Sequence, residues 1–154
     1  MDSVSRKQRS ANMRRVRGAH TKPEIFVRKW LHKNGYRFRL HRKDLAGKPD
    51  IVLPKFKATI FVNGCFWHGH DCPRGKRPSS NTEFWNKKLD RNIQRDQANY
   101  ADLKANGWHV LILWECDLRK RHDHTLERLR HSLDELHSSN LAQSRFNPRA
   151  SSHA

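Results

Sequence analysis

The chain has 154 residues, the length of one ordinary domain with a single core and little surplus for a second. Its 32 lysines and arginines stand against 15 acidic residues, and the net charge of +17 at pH 7 points to a polyanionic partner, nucleic acid before membrane. Residues 1–7 lack the apolar core of a signal peptide, the longest apolar run, Val110 to Trp114, is far too short for a bilayer, and an odd count of three cysteines argues against a disulfide framework, so a cytoplasmic protein is expected.

Residues 1–20 carry Arg6, Lys7, Arg9, Arg14, Arg15 and Arg17 with few apolar residues, and read as a basic arm able to lie on phosphate. The main domain is expected over 21–137. Thr21-Lys22-Pro23-Glu24 has the pattern of a capping box with proline in the first turn; Ile25, Val27, Trp30 and Leu31 follow before Gly35, which predicts a helix from Lys22 to Asn34. Tyr36, Phe38 and Leu40 alternate with Arg37, Arg39 and His41, the period of a strand with one apolar and one basic face. Gly47-Lys48-Pro49 turns the chain into a strand at Asp50 to Leu53, and a hairpin through Pro54-Lys55-Phe56 leads to the next strand at Lys57 to Val62.

The loop that follows is the most concentrated stretch of the chain. Asn63 to Cys72 reads Asn-Gly-Cys-Phe-Trp-His-Gly-His-Asp-Cys, and a basic segment from Pro73 to Ser80 comes after it. Thr82 and Glu83 open a long helix ending at Gly107, with Trp85, Leu89, Ile93, Tyr100 and Leu103 on one face and Asp96 in the middle of that stripe. Trp108 to Trp114 reads as a buried strand ending at Glu115-Cys116, and Leu126, Leu129, Leu133 and Leu136 mark a final amphipathic helix. Residues 138–154 are rich in Ser, Asn, His and Arg and read as a disordered tail. Helix, three strands, helix, strand, helix gives an α/β architecture, a mixed central sheet flanked by helices, without a dinucleotide or Walker glycine loop.

Cys65, His70 and Cys72 place soft ligands close together, but a closed zinc site wants four. Cys116 supplies the fourth if its strand pairs with the one containing Ile60; His68 or Asp71 could each replace His70 on sequence evidence alone. Asp50, at a strand start, suits a magnesium ion whose other ligands are main-chain oxygens, water and phosphate. His68 can act as general acid or base near neutral pH, and Asp96, on the buried face of a helix, can orient it. Phe66 and Trp67 are adjacent and flanked by glycines, so both cannot point into the core of a regular strand.

The order Pro49-Asp50, Phe61-Val62-Asn63-Gly64-Cys65-Phe66-Trp67-His68, Thr82-Glu83-Phe84-Trp85, Asn92 to Asp96, and Trp114-Glu115-Cys116 resembles the very short patch repair endonuclease family over roughly Arg9 to Leu118. The resemblance implies a restriction-endonuclease-like fold with structural zinc. It further implies a monomeric, magnesium-dependent enzyme that nicks duplex DNA 5′ of the thymine in T:G mismatches, which arise when 5-methylcytosine deaminates. A mismatch-repair mediator protein is a further candidate partner.

By matching position, Asp50 becomes the magnesium ligand together with the Val62 carbonyl, His68 the general base or acid, and Asp96 its orienting partner. Glu24 matches an acidic position near the catalytic centre, and the zinc set is Cys65, His70, Cys72 and Cys116. Phe66, Trp67 and Trp85 become a wedge between base pairs, with Met13 and Arg14 of the basic arm and Lys88 also on DNA. The chain departs from the family pattern at Asn63, often histidine, and in a histidine run broken by Gly69 and Asp71. An amide cannot transfer protons at neutral pH, so an acid-base role for Asn63 is in doubt. The competing readings are a zinc-stabilised DNA-binding module without catalysis and a related nuclease without mismatch specificity.

Overall fold

A computed structural model describes residues 20–146; Met13, Arg14 and the rest of residues 1–19, and residues 147–154, lie outside the described residues. The first helix, α1 (Lys22–Lys33), starts at the N-cap Thr21, whose hydroxyl accepts the Glu24 amide at 3.4 Å. It ends where Gly35, at φ +79°, lets the Gly35 and Tyr36 amides turn back to the carbonyls of His32 and Leu31.

The strand expected from Tyr36 to Leu40 is reduced to β1 (Arg39–Leu40), and Leu40 is 37 % exposed. The aromatic residues before it pack without a ladder: Tyr36 stacks on Trp30, ring centroids 6.0 Å apart, and leans on Phe56. Strand β2 (Ile51–Leu53) runs into a 3₁₀ turn at Pro54–Phe56, and Lys57, at φ 52°, closes the hairpin into β3 (Ala58–Asn63). The long helix α2 (Thr82–Ala105) stops at Gly107, φ +83°, with Trp108 N–H bonded to the Leu103 carbonyl at 3.0 Å. Strand β4 (His109–Trp114) then passes directly into a short helix, α3 (Glu115–Lys120), where the sequence suggested only a strand end.

The last helix, α4 (His122–Phe146), continues past His137 into the segment expected to be a disordered tail. There Asn140 donates to the Phe56 carbonyl at 3.1 Å, which ties the extension to the hairpin turn. Among the described residues no helix is long and apolar enough to cross a membrane.

The sheet order is β1-β2-β3-β4, antiparallel except for the parallel β3–β4 pair, a mixed α/β architecture as expected. Alternation along the strands divides the molecule. Ile51, Leu53, Ala58, Ile60 and Leu113 face a core with Val27 and Leu31 of α1 and Leu126, Leu129 and Leu133 of α4. Phe61 faces the other way, onto Tyr100 and Leu103 of α2. The first layer carries most of the buried apolar residues, and the α2 side is left for polar groups. Leu133→Ala, which empties a fully buried position in the larger core, should cost about 2 to 5 kcal/mol of stability in urea denaturation.

Candidate active site and metal centre

Asp50 leaves the buried Pro49 at the mouth of β2, and its Oδ2 accepts the Val62 amide at 2.8 Å. The β2–β3 register, Ile51 opposite Ile60, continues to Pro49 opposite Val62. Proline has no N–H to offer the Val62 carbonyl. In a strand a residue's carbonyl points to the same side as its amide, so the Val62 carbonyl is directed to the β2 side of β3, as is the amide that Asp50 accepts.

Glu24, 1 % exposed, completes the acidic centre. Its Oε1 meets His41 Nε2 at 2.7 Å, and its Oε2 accepts the His20 amide at 3.0 Å and Arg28 at 3.3 Å. The capping-box carboxylate therefore turns away from Thr21 and into the site. His20, Glu24 and His41 hold their ligand atoms within 4.8 Å of one another. Arg28 already supplies a positive charge there.

Burial pushes the Asp50 carboxyl from 3.8 up to about 7; the Val62 amide opposes this, and the hydrogen bond and charge of Glu24 reinforce it. Arg28 and His41 meet Glu24, yet Asp50 itself accepts only the Val62 amide among the described residues, and two neighbouring carboxyl groups offer hard oxygen donors of the kind a hard divalent cation fits.

Across the end of β3, His68 Nδ1 and Asp96 Oδ2 are 2.6 Å apart, which leaves Nε2 as the free ring nitrogen. The loop carrying His68 is fastened to α2 by Asn92, whose amide donates to the Trp67 carbonyl at 3.2 Å. Gly69, at φ +67°, also permits a close approach: a Cβ there would meet Ile93 Cδ1 at 2.4 Å. Asn63 is 3 % exposed, and its amide donates to the Tyr100 hydroxyl at 2.9 Å.

The parallel pairing sets Asn63 opposite Trp114 and so brings the loop after β3 against the first turn of α3. The ligand atoms of Cys65, His70, Cys72 and Cys116 lie within 4.8 Å of one another, the His70 ring stacks on Trp114 at 4.1 Å, and Cys116 Sγ is 3.4 Å from His70 Nδ1. His68 points instead to Asp96, and Asp71 is outside the cluster, so it is His70 that the fold groups with the three cysteines. Burial pushes the Cys65 thiol up to about 12 and raises that of Cys116. At Cys72 burial works upward too, but hydrogen bonds to His70, Cys65 and the Gly75 amide outweigh it and hold the thiol down at about 7. Three sulfurs this close cannot all ionise without a cation, and three thiolates with one imidazole suit a tetrahedral soft metal. Gly75 closes the loop, since a Cβ there would sit 1.9 Å from the His70 carbonyl oxygen.

Phe66, Trp67 and Trp85 form one cluster, with centroids 5.0 Å apart for Phe66–Trp67, 5.4 Å for Phe66–Trp85 and 6.1 Å for Trp67–Trp85. Trp85 is 9 % exposed and anchors the cluster. Phe84, 50 % exposed, adds a fourth ring that the sequence reading passed over. Its signal was available: it is an aromatic residue off the apolar stripe of an amphipathic helix. Lys88 Nζ lies 5.5 Å from the Trp67 ring and 5.8 Å from the Phe84 ring. Arg77 bonds Asn86 at 3.0 Å and Asp90 at 2.6 Å, which fixes the basic loop to α2 beside these rings. Nothing in the sequence marked Gly75 or His41; Tyr100 was placed in the apolar stripe, one turn beyond Asp96.

Comparison with known proteins gives the family. The family model described as DNA mismatch endonuclease Vsr matches residues 1–74. The type II nicking enzyme V.XorIIP of Xanthomonas oryzae pv. oryzae is 50% identical over 117 residues, covering 76% of this chain and 86% of that protein. The type II nicking enzyme V.NmeAIP of Neisseria meningitidis is 43% identical over 120 residues, 78% of this chain and 86% of its own length. The DNA mismatch endonuclease Vsr of Escherichia coli is 41% identical over 127 residues, 82% of this chain and 81% of that protein. Identity of this extent, over most of both chains, means that the chain belongs to the Vsr family of DNA mismatch endonucleases and is a DNA endonuclease.

Proposed function

We propose that the protein nicks duplex DNA on the 5′ side of the thymine in a T:G mismatch and so opens the repair of deaminated 5-methylcytosine. Magnesium would act at Asp50, zinc would sit in the cysteine cluster, and the fold would be restriction-endonuclease-like. The observations that carry the reading are a partly buried Asp50 whose carboxyl is raised to about 7 and a His68 backed by Asp96 at Nδ1, with no partner at Nε2 among the described residues, in a member of this family. A merely DNA-binding protein has no use for either.

Asp50 and the Val62 carbonyl would hold the magnesium ion, with Glu24 beside them. When bound, that ion supplies charge neutralisation and Lewis-acid polarisation at the phosphodiester. His68 Nε2 takes the proton of the attacking water, while Asp96 on Nδ1 fixes the tautomer and stabilises the charged ring. Asn63 moves no proton. Zinc on Cys65, His70, Cys72 and Cys116 fastens the loop that carries His68 to the end of the sheet.

Phe66, Trp67 and Trp85, with Phe84 at their edge, present faces on which unstacked bases can rest, and Lys88 keeps a positive charge over them. Parting a base step costs a few kcal/mol, less at a poorly paired T:G site, and stacking on aromatic faces returns roughly 1 to 3 kcal/mol per base. Met13 and Arg14 of the basic arm would approach from the other groove.

Several outcomes test this reading. In a nicking assay with Mg²⁺ and a T:G duplex, Asp50→Asn should keep duplex affinity and lose cleavage, and His68→Ala should slow cleavage by about 10²- to 10⁴-fold; full cleavage by Asp50→Asn would refute the assignment. Because the Asp50 carboxyl is raised from 3.8 to about 7, the folded metal-free protein binds a proton that the unfolded chain does not. Its stability therefore falls as pH rises through that window. Asp50→Asn should flatten this dependence and gain roughly 2 to 4 kcal/mol at pH 8, read by denaturation in chelator.

Elemental analysis of the purified protein should find about one zinc per chain, and Cys116→Ser should lose both the metal and thermal stability. Trp67→Ala should retain zinc and affinity for ordinary duplex while most of the preference for T:G disappears. The measurement is the ratio of cleavage rates on mismatched and fully paired duplexes with identical flanks, and an unchanged ratio would remove the wedge.

A further inference from the structure

Tyr100 takes no part in the chemistry set out above, yet it stands where the two halves of the site meet. Its ring lies edge-on against Phe61, centroids 5.0 Å apart, and the residue is 8 % exposed. The hydroxyl accepts the Asn63 amide at 2.9 Å, and among the described residues it makes no other hydrogen bond, so its own proton remains free to donate.

Two relations place that hydroxyl near both parts of the centre. Tyr100 follows Asp96 by four residues on α2 and so shares its face of the helix, one turn along. Asn63 follows Val62, whose amide holds Asp50. The hydroxyl is thus tied to the strand end that follows Val62 and stands on the helix face that carries Asp96. Its pKa tells the same story: burial raises it, the Asn63 bond opposes, and the charges of Asp96 and Asp50 both add, pushing it up to about 12. Tyr100 is a proton donor throughout the neutral range.

A donor flanked by two carboxylates is poorly placed for an anion and well placed for water, whose oxygen accepts from the hydroxyl while its hydrogens point to the acidic groups. We propose that Tyr100 is a positioning residue whose hydroxyl, held by Asn63, donates to the attacking water and fixes it between Asp50 and His68. The inference rests on the nicking activity proposed above. It also gives Asn63 a task that an amide can perform: it only has to donate.

The test is Tyr100→Phe, which keeps the ring against Phe61 and Leu103 and removes only the hydroxyl. Three quantities are compared with the parent protein: the single-turnover nicking rate on a T:G duplex with Mg²⁺, the duplex affinity in chelator, and the melting temperature. The expected result is a rate lowered roughly 10- to 100-fold with affinity and melting unchanged. Asn63→Ala should slow the reaction in the same direction, and the double variant should be no slower than Tyr100→Phe, because the two residues act as one unit. A Tyr100→Phe protein cutting at the parent rate would overturn the proposal. A matching loss of duplex affinity would move the contact to DNA phosphate, and a loss that tracks a lower melting temperature would reduce Tyr100 to packing; each of these overturns it too. A parent protein that fails to nick the mismatched duplex would instead remove the underlying activity.

Discussion

The place of β3, parallel to β4 on one side and antiparallel to β2 on the other, is the constraint on which the rest depends. With Asn63 opposite Trp114, the chain leaving β3 and the chain leaving β4 emerge side by side at the same edge of the sheet. One exit carries Cys65 and, through the loop, His68, His70 and Cys72; the other carries Cys116. A slip of one residue would turn every side chain of β4 to the opposite face and take Cys116 away from the cluster. On its other side β3 pairs antiparallel with β2, Ile51 opposite Ile60, and this second register lets Asp50 reach the Val62 amide, while Asn63 at the end of β3 reaches Tyr100. The Cys/His cluster and the acidic centre thus rest on two registers that share β3.

The two faces of the sheet have divided the work. The α1 and α4 side is dry and aliphatic and holds the fold together; the α2 side is shallower, with Phe61, Tyr100 and Leu103 as its main apolar contact. A thinner core leaves room for partly buried carboxylates, whose cost in stability the larger core offsets. Asp50 shows that cost directly, in a carboxyl that burial holds near neutral.

Much of this was legible in the residues. Period and caps gave α1, the β2–β3 hairpin, α2 and β4, because each of these has an apolar pattern that one layer satisfies. The gathering of Cys65, His70, Cys72 and Cys116 into one cluster followed from the use of all three cysteines. Asp96 stood out as a carboxylate on an apolar stripe, and the structure gives it His68. What stayed hidden were contacts made across distant segments. Glu24 reads as an ordinary capping residue until His41, brought in by the short strand β1, meets it. Tyr36 and Phe38 carry a strand's alternation yet serve as packing residues outside the ladder. The tail past His137 looked polar enough to fray, yet helix runs through it, and Asn140 within it bonds the hairpin turn.

Helix α2 has one consequence of its own. It carries Trp85 and Lys88 in its opening turns and Asp96 and Tyr100 further along, all within one unbroken run of 24 residues. At 1.5 Å per residue, the eleven steps from Trp85 to Asp96 span about 16 Å, a length that a straight helix does not readily change. On the reading proposed here, the helix is a ruler: the aromatic end registers the faulty pair and the acidic end marks the bond to be cut. Substrate choice and cut position then become a single property, which evolution could alter only by changing both ends together.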